Sequence, residues 1–597
     1  MFRDSLPLLC LTFATFAWAD DRPNIIVFYT DDHGYADLSC QGVFDDIRTP
    51  NVDRLAKSGV RVLHGYSTAP QCVPSRAGLL VGKFQSRFGV ESNRMPLDGF
   101  NRELTIAERL QDVGYITGQF GKWHLGAGSE ITKHGFKYVY NQNSQAPFAA
   151  NVTTSGEDRP MGLMKPEMYH IDGCSHAASA IIHRHKNDPF FLYVAYRAPH
   201  VPLDAPRKYL DRFPGEMPER RRQALAMLSA VDDGVGLVMD TLAKHHLTNK
   251  TLVFYIGDNG APLKIHKLDA PGGGPGWDGS LNDPLNGEKG MLSEGGMHVP
   301  FVVSMPGKIP GGQEYPHPVT ALDVAATAAE LAGLEIQQGD FDGVNLIPFL
   351  SGQAETAPHK RLMWRWVSQS AIREGDWKLL RGGNREYLYN LKSDLEEKNN
   401  VAEKFPEVAA RLRRELTSWS QELSPPGLVT SEQSSVWNEY YDFYLEGKPA
   451  KPPARTTLQR ERKANTETTM GSWLVRGGIL ERTEGVMRIV PQGKNNPALI
   501  RNGFQLSGPV NVTMTIKSSS DKPIRLNWRN QNEKTFMPEN QISIPIEESS
   551  LWQTLSVEIP NVNDVVHVRF NLPAVSIQFK SLELSPSKGK SIRLPQE

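Results

Sequence analysis

Asn24-Ile25-Ile26-Val27-Phe28-Tyr29-Thr30-Asp31-Asp32 runs apolar without alternation from Ile25 to Tyr29 and stops on two carboxylates. Alternation marks a strand wetted on one face, whereas a short unbroken run marks one covered on both, as in a parallel sheet between helix layers. Phe190-Phe191-Leu192-Tyr193-Val194-Ala195-Tyr196 repeats the pattern and ends just before His200. Thr251-Leu252-Val253-Phe254-Tyr255-Ile256 repeats it again and ends at Asp258-Asn259. Open α/β sheets bind ligands beyond the carboxyl ends of their strands. Three such runs, each delivering polar residues there, predict one shared site. Up to about residue 400 these runs alternate with longer amphipathic stretches, which predicts a large, mostly parallel sheet flanked by helices.

Outward from that core the pattern changes twice. Ala371-Ile372-Arg373-Glu374-Gly375-Asp376-Trp377-Lys378-Leu379-Leu380 and Tyr387-Leu388-Tyr389-Asn390-Leu391 read as a hairpin, followed by a charged helix to about Leu423, together a small α/β subdomain. Residues 424–470 are rich in Pro, Ser, Lys and Thr and lose periodicity, as a linker does. Within them Trp437-Asn438-Glu439-Tyr440-Tyr441-Asp442-Phe443-Tyr444 is too aromatic to stay free and should dock on a domain. Beyond residue 471, Val510, Val512, Met514 and Ile516 alternate strictly with polar neighbours, which predicts a β-sandwich. The expected organisation is a signal peptide (1–19), a catalytic α/β domain (20–345), the small subdomain (346–423), the linker (424–470) and the sandwich (471–597).

The N-terminus carries Arg3, an apolar run over residues 6–16 and Ala17-Trp18-Ala19, the layout of a cleaved export signal and too short to span a bilayer. A secreted or periplasmic protein without membrane insertion is expected. Lys+Arg total 66 against Asp+Glu 67, a net charge of -1. That balance argues against a nucleic-acid partner and requires an anionic substrate to be met by locally placed cations. Once the signal is removed, Cys40, Cys72 and Cys174 remain. Cys40 and Cys174 could pair or stay buried as thiols.

Asp31, Asp32, Asp258 and Asn259 offer only oxygen donors, and no Cys/His cluster has zinc spacing. This set suits a hard cation such as Ca²⁺ better than Zn²⁺. A lone Asp pair after a strand is ordinarily a helix N-cap; its combination with Asp258-Asn259 points to a metal. Cys72-Val73-Pro74-Ser75-Arg76-Ala77-Gly78-Leu79-Leu80-Val81-Gly82 is the sharpest motif. A cysteine-phosphatase loop does not fit, since its Arg stands six residues after the Cys. Over its full length the segment resembles the type I, formylglycine-dependent sulfatase signature of the alkaline phosphatase superfamily.

Three further segments are similar to the same family, in family order: Gly114-Tyr115-Ile116-Thr117-Gly118-Gln119-Phe120-Gly121-Lys122-Trp123-His124-Leu125-Gly126, Ala198-Pro199-His200-Val201-Pro202, and Gly287-Glu288-Lys289-Gly290 with Glu294-Gly295-Gly296. The resemblance spans about Asn24 to Leu423 and does not reach the sandwich. It implies that a formylglycine-generating maturation enzyme oxidises Cys72. It also implies that one Ca²⁺, with Mg²⁺ as the alternative, is held by Asp31, Asp32, the modified Cys72, Asp258 and Asn259. Arg76 would hold the hydrated aldehyde and Lys122 the sulfate. Asp258 and His124 would take protons, and His200 and Lys289 would protonate the leaving oxygen. A plain thiol suits this chemistry poorly, because its sulfur-bound product has no easy exit. One departure stands out: Met297-His298-Val299-Pro300 replaces the family's x-Arg-Val-Pro, read as a packing substitution behind the site.

The implied activity is hydrolysis of a sulfate ester, with a sulfated carbohydrate or an aryl sulfate as substrate. Arg87 and Arg94 are candidates for lining the pocket, with plain helix-surface charge as the alternative. Two other functions share the framework: a metal-dependent phosphomonoesterase or phosphodiesterase, and an inactive exported glycan-binding protein.

Overall fold

Strand Asn24–Asp31 is buried along its whole length, because its neighbours cover both edges and helices cover both faces. The computed structural model describes residues 21–93, 95–263, 278–424, 435–449, 468–470, 473–483, 486–491, 496–531, 533, 535–560 and 564–594. The expected signal peptide and most of the expected linker lie outside these residues. The chain divides into two compact units, residues 1–451 and 452–597.

In the first unit Asn24–Asp31 pairs in parallel with Phe190–Pro199 on one side and Thr251–Gly257 on the other. Ile116–Gly121 and Tyr138–Tyr140 continue the parallel block. The flanks reverse: Phe301–Ser304 runs antiparallel to Thr251–Gly257, and Phe148–Val152 and Asp158–Met164 close the other edge antiparallel. The ten-stranded sheet is therefore mixed, parallel at its centre where both faces are buried. Alternate residues of the central strand serve two cores. Ile25, Val27 and Tyr29 pack with helices Cys72–Val81, Ile106–Asp112 and Asp323–Leu331. Ile26 and Phe28 pack with Pro50–Lys57, His170–Arg184 and Glu219–Lys244. Fully burying one such side chain contributes about 1.5–3 kcal/mol, which is why a period-one apolar run was needed.

A four-stranded antiparallel sheet, Arg361–Trp366 through Arg385–Asn390, follows, with helix Pro406–Gln421 against it. Helix Ser435–Tyr444 packs on the opposite face of that sheet through Tyr441, joined by Leu445 just past its end. Among the described residues no helix is long and apolar enough to cross a membrane. Cys40, Cys72 and Cys174 are all free thiols, Cys72 and Cys174 buried.

The second unit is antiparallel throughout. Strand Ala498–Ser518 spans both of its sheets. Its first half pairs with Trp473–Arg476 and Val565–Asn571, and its second half with Ser549–Ile559 and Ile577–Lys588. Val510, Val512, Met514 and Ile516 enter the core, while Asn511, Thr513, Thr515 and Lys517 face outward. The crossing from one sheet to the other falls where the register shifts between Asn502 and Leu506.

Candidate active site

Register brings the sequence-distant polar ends together. Thr30 lies opposite Gly257, and Asp31 opposite Pro199, so Asp31-Asp32, Asp258-Asn259 and His200 emerge side by side at the carboxyl ends of the central strands. Asp32 turns out of the strand at φ 59, a left-handed geometry that aspartate tolerates better than most residues. Its backbone N–H donates to Asp258 Oδ1 at 3.1 Å, and its Oδ1 accepts from Asn259 Nδ2 at 2.7 Å.

Cys72 opens helix Cys72–Val81, all ten residues of which are buried. Its Sγ lies 3.3 Å from Asp31 Oδ1 and 3.1 Å from Lys289 Nζ. Burial, and then the Asp31 charge, push the thiol up to about 12. The unmodified side chain is thus a protonated thiol and a poor nucleophile.

Arg76, one turn along, is wholly buried. Nη2 donates to Asp258 Oδ2 at 2.7 Å, Nη1 reaches Tyr193 Oη and Lys122 O, each at 3.2 Å, and the guanidinium lies 5.3 Å from the Tyr29 ring centroid. Lys122 pairs with Asp31 through Nζ, and its N–H donates to Ala195 O at 2.7 Å. Lys289 Nζ sits 2.5 Å from Asp32 Oδ1. His200 Nε2 stands 3.6 Å from Asp32 Oδ2.

These charges set one another. Burial alone would raise the Asp31 carboxyl, but Lys122, His200, Arg76 and Lys289 outweigh it and hold Asp31 well below the usual carboxylate range. Asp258 goes the other way: burial and Asp31 push it up to about 7 against the opposing pull of Arg76. Two neighbouring carboxyls are thereby split into a firm anion and a group that exchanges protons near neutrality. His124, at φ 61 after Lys122, opens partly to solvent. Desolvation by the surrounding protein and the charges of Lys122 and Arg76 nevertheless depress its imidazole to about 3, so it is neutral near pH 7.

Asp31, Asp32, Cys72 and His200 each offer a donor atom within 4.8 Å of the others. Asn259 Oδ1 is buried with no hydrogen-bond partner, the state of an acceptor awaiting a cation. A hard divalent ion fits this oxygen-dominated set. His200, expected from sequence only as a proton donor, is within reach of the same set.

Three groups that hold the site were not singled out from sequence. Tyr193 and Tyr29 flank Arg76, and Arg197 donates from Nη1 to His200 O at 3.2 Å and Pro202 O at 2.8 Å. Tyr193 and Tyr29 sat inside apolar runs, where a tyrosine passes for core. Arg87, a candidate for the pocket lining, pairs its guanidinium bidentately with Asp342, Nε to Oδ2 and Nη2 to Oδ1, both at 2.8 Å, from a short 3₁₀ turn at Gln85–Arg87. Arg94 lies outside the described residues. His298 is buried behind the site, Nδ1 2.9 Å from Glu294 Oε2 and Nε2 2.8 Å from Leu63 O.

Comparison with known proteins gives a consistent picture. The family model described as Sulfatase matches residues 23–334, and one described as N-sulphoglucosamine sulphohydrolase, C-terminal, matches residues 287–422. Arylsulfatase A of Bos taurus is 30% identical over 63% of this chain and 78% of its own. The N-acetylgalactosamine-6-O-sulfatase of Bacteroides thetaiotaomicron is 27% identical over 66% of this chain and 93% of its own. Among solved structures, Ps i-CgsB in complex with k-i-k-neocarrahexaose superposes with a TM-score of 0.59 at 29% identity, covering 71% of this chain and 97% of that one.

Proposed function

This chain belongs to the sulfatase family and is a sulfuric ester hydrolase; we propose that it removes O-sulfate from a sulfated carbohydrate, with a formylglycine made at Cys72 and one bound Ca²⁺. The observation that supports this reading is the position of Cys72 Sγ, 3.3 Å from Asp31 Oδ1 and 3.1 Å from Lys289 Nζ, in a buried ring of carboxylates and cations. The carbohydrate substrate follows by similarity: one relative is an N-acetylgalactosamine-6-O-sulfatase, and one structural neighbour holds a neocarrahexaose.

In this reading Asp31, Asp32, Asp258 and Asn259, with position 72 itself, hold the cation. The bound ion would neutralise sulfate oxygens and lower the pKa of a coordinated hydroxyl. Formylglycine, once hydrated, would supply two hydroxyls on one carbon, one to attack sulfur and the other to release sulfate and restore the aldehyde. Arg76, locked by Asp258, Tyr193 and Tyr29, orients the side chain of position 72. Lys122 and Lys289 bring two ammonium groups to the sulfate, whose charge they balance as it builds in the transition state. Asp258 is the candidate to accept a proton, at a carboxylate oxygen, from the attacking hydroxyl. His124, by resemblance to the family, is the candidate to accept the second. His200 and Lys289 deliver a proton to the departing sugar oxygen, a contribution of about 10²–10⁴-fold. The chain is exported to the periplasm or beyond, and the maturation enzyme is its obligatory partner.

The test is a peptide mass spectrum across Cys72 from protein made alongside a maturation enzyme, together with turnover of an aryl sulfate and an aryl phosphate. Aldehyde at position 72, sulfate preference and loss of turnover in Cys72→Ala are expected. Active enzyme that retains its thiol, or a preference for phosphate, would reverse the assignment.

A further inference from the structure

Loop 286–292 carries Lys289 to Cys72 and Asp32, yet neither helix nor strand stiffens it. Upstream residues hold part of it: Lys289 N–H donates to Ala261 O at 3.3 Å, Gly290 N–H to Pro70 O at 2.9 Å and Asn282 Nδ2 to Gly287 O at 3.1 Å. Its other supports come from far downstream. Gln369 donates from Nε2 to Gly290 O at 2.9 Å and accepts from Leu292 N at 3.2 Å. Helix Ser435–Tyr444 adds contacts immediately on either side of Lys289. Tyr444 Oη donates to Glu288 Oε1 at 2.9 Å, and Tyr444 O accepts from Asn286 Nδ2 at 2.7 Å. The Trp437 ring lies so close to Gly290 that a Cβ there would fall 2.0 Å from a ring carbon. Tyr441 Oη donates to Gln369 Oε1 at 3.0 Å and so braces the second support.

The helix is itself fixed. Arg385 pairs with Asp442 at 2.8 Å, Tyr387 Oη donates to Glu446 at 2.7 Å, and Trp437 meets Trp366 edge-on with centroids 5.1 Å apart. Both family models end before this helix begins, at residues 334 and 422.

We propose that helix Ser435–Tyr444 is a positioning clamp for Lys289, holding its ammonium where the ester oxygen departs. The proposal rests on the reading of Lys289 as a proton donor to that oxygen. A long, flexible side chain on a less firmly braced loop samples more positions, and a misplacement of about 1 Å can cost about 10²-fold. Without the clamp, attack at sulfur should persist, while help to a poor leaving group should fade.

The test uses the full-length, matured, metal-loaded enzyme and the variants Tyr444→Phe, Trp437→Ala and Lys289→Ala. Two substrates separate the steps: a nitrophenyl sulfate, whose leaving group needs little protonation, and an alkyl sulfate, whose leaving group needs much. Lys289→Ala should lose about 10²-fold more kcat on the alkyl than on the nitrophenyl substrate. Tyr444→Phe should lose about tenfold on the alkyl substrate and less than about twofold on the other. Amide hydrogen exchange over residues 286–292 should quicken in Tyr444→Phe while helix Cys72–Val81 keeps its protection. Trp437→Ala should shift both readouts further; if it fails to fold, Tyr444→Phe decides alone. If Lys289→Ala discriminates between the substrates but Tyr444→Phe neither discriminates nor quickens exchange, the clamp is overturned and the role of Lys289 stands. Equal slowing of both substrates by Lys289→Ala overturns the proton-donor reading, and the clamp as stated with it, even where exchange shows the helix bracing the loop.

Discussion

Lys378 is fully buried between two carboxylates, 2.7 Å from Glu294 and 2.9 Å from Glu397. Glu294 also accepts from Tyr66 Oη at 2.8 Å and meets His298, while its N–H donates to Glu397 at 2.6 Å. Against its own burial, Lys378 and His298 hold Glu294 well below the usual range, whereas burial leaves Glu397 up at about 7 despite Lys378. Lys378→Met removes the shared cation and strands both acids, a cost of about 3–5 kcal/mol. Both folded carboxyls should then titrate above their unfolded values. The folded variant would bind more protons than the unfolded chain, so its stability should fall as pH rises. Urea midpoints are expected to show the largest deficit at pH 8, shrinking as pH drops through 7 towards 5; a deficit that grows on acidification would contradict this account. The motif Glu294-Gly295-Gly296 was legible as part of the site. That its glutamate anchors a buried cation from another sheet was not, because Lys378 lies 84 residues away in a strand whose local pattern does not mark it.

Elements explain which site residues the sequence could reveal. A parallel strand covered on both faces must stay apolar until it leaves the sheet, so Asp31, Asp258 and His200 announce themselves by ending such runs. The supports of Lys289 carry no comparable mark: Gln369 and Tyr444 lie 79 and 156 residues from the loop positions they hold, and nothing in local spacing connects them. The aromatic run at residues 437–444 signalled docking but not its target. Strand Ile116–Gly121 shows how an element end aims a side chain. Gly121 sits at φ 99, and a Cβ there would lie 2.2 Å from Ala195 O, the carbonyl that accepts from Lys122 N. Gly121→Ala therefore meets both a disfavoured backbone region and a collision, each costing about 1–3 kcal/mol, and must push Lys122 away from Asp31. Gly42, at φ 68 with nothing within 4 Å, provides the control, since Gly42→Ala meets the backbone term alone, about 1–2 kcal/mol. Gly121→Ala should lose both stability and aryl sulfate turnover, whereas Gly42→Ala should keep its kcat. Equal turnover in the two variants would detach Lys122 from the chemistry.

At the scale of the whole molecule, each compact unit has its own core: Ile25 and Ile26 belong to two cores of the first, and Trp473 and Val512 to one of the second. The sequence announced this change of architecture through its change of period, from unbroken runs to alternation. It could not announce that a single strand, Ala498–Ser518, serves two sheets, because alternation reports which side is buried and not which partner is paired. Separate cores predict separate thermal transitions. The candidate cation ligands Asp31, Asp32, Asp258 and Asn259 all lie in the first unit. Binding stabilises only the unit that binds, by about 2.7 kcal/mol when the free ion stands at 100 times its Kd. For a unit of some four hundred residues this corresponds to about 3 °C. Calorimetry on chelator-treated protein, repeated with Ca²⁺ restored, should move one transition by that order and leave the other in place. Asp32→Asn should blunt the shift without altering the second transition. Two transitions that move together, or a first transition indifferent to Ca²⁺ and Mg²⁺ alike, would remove the cation from the centre of this site.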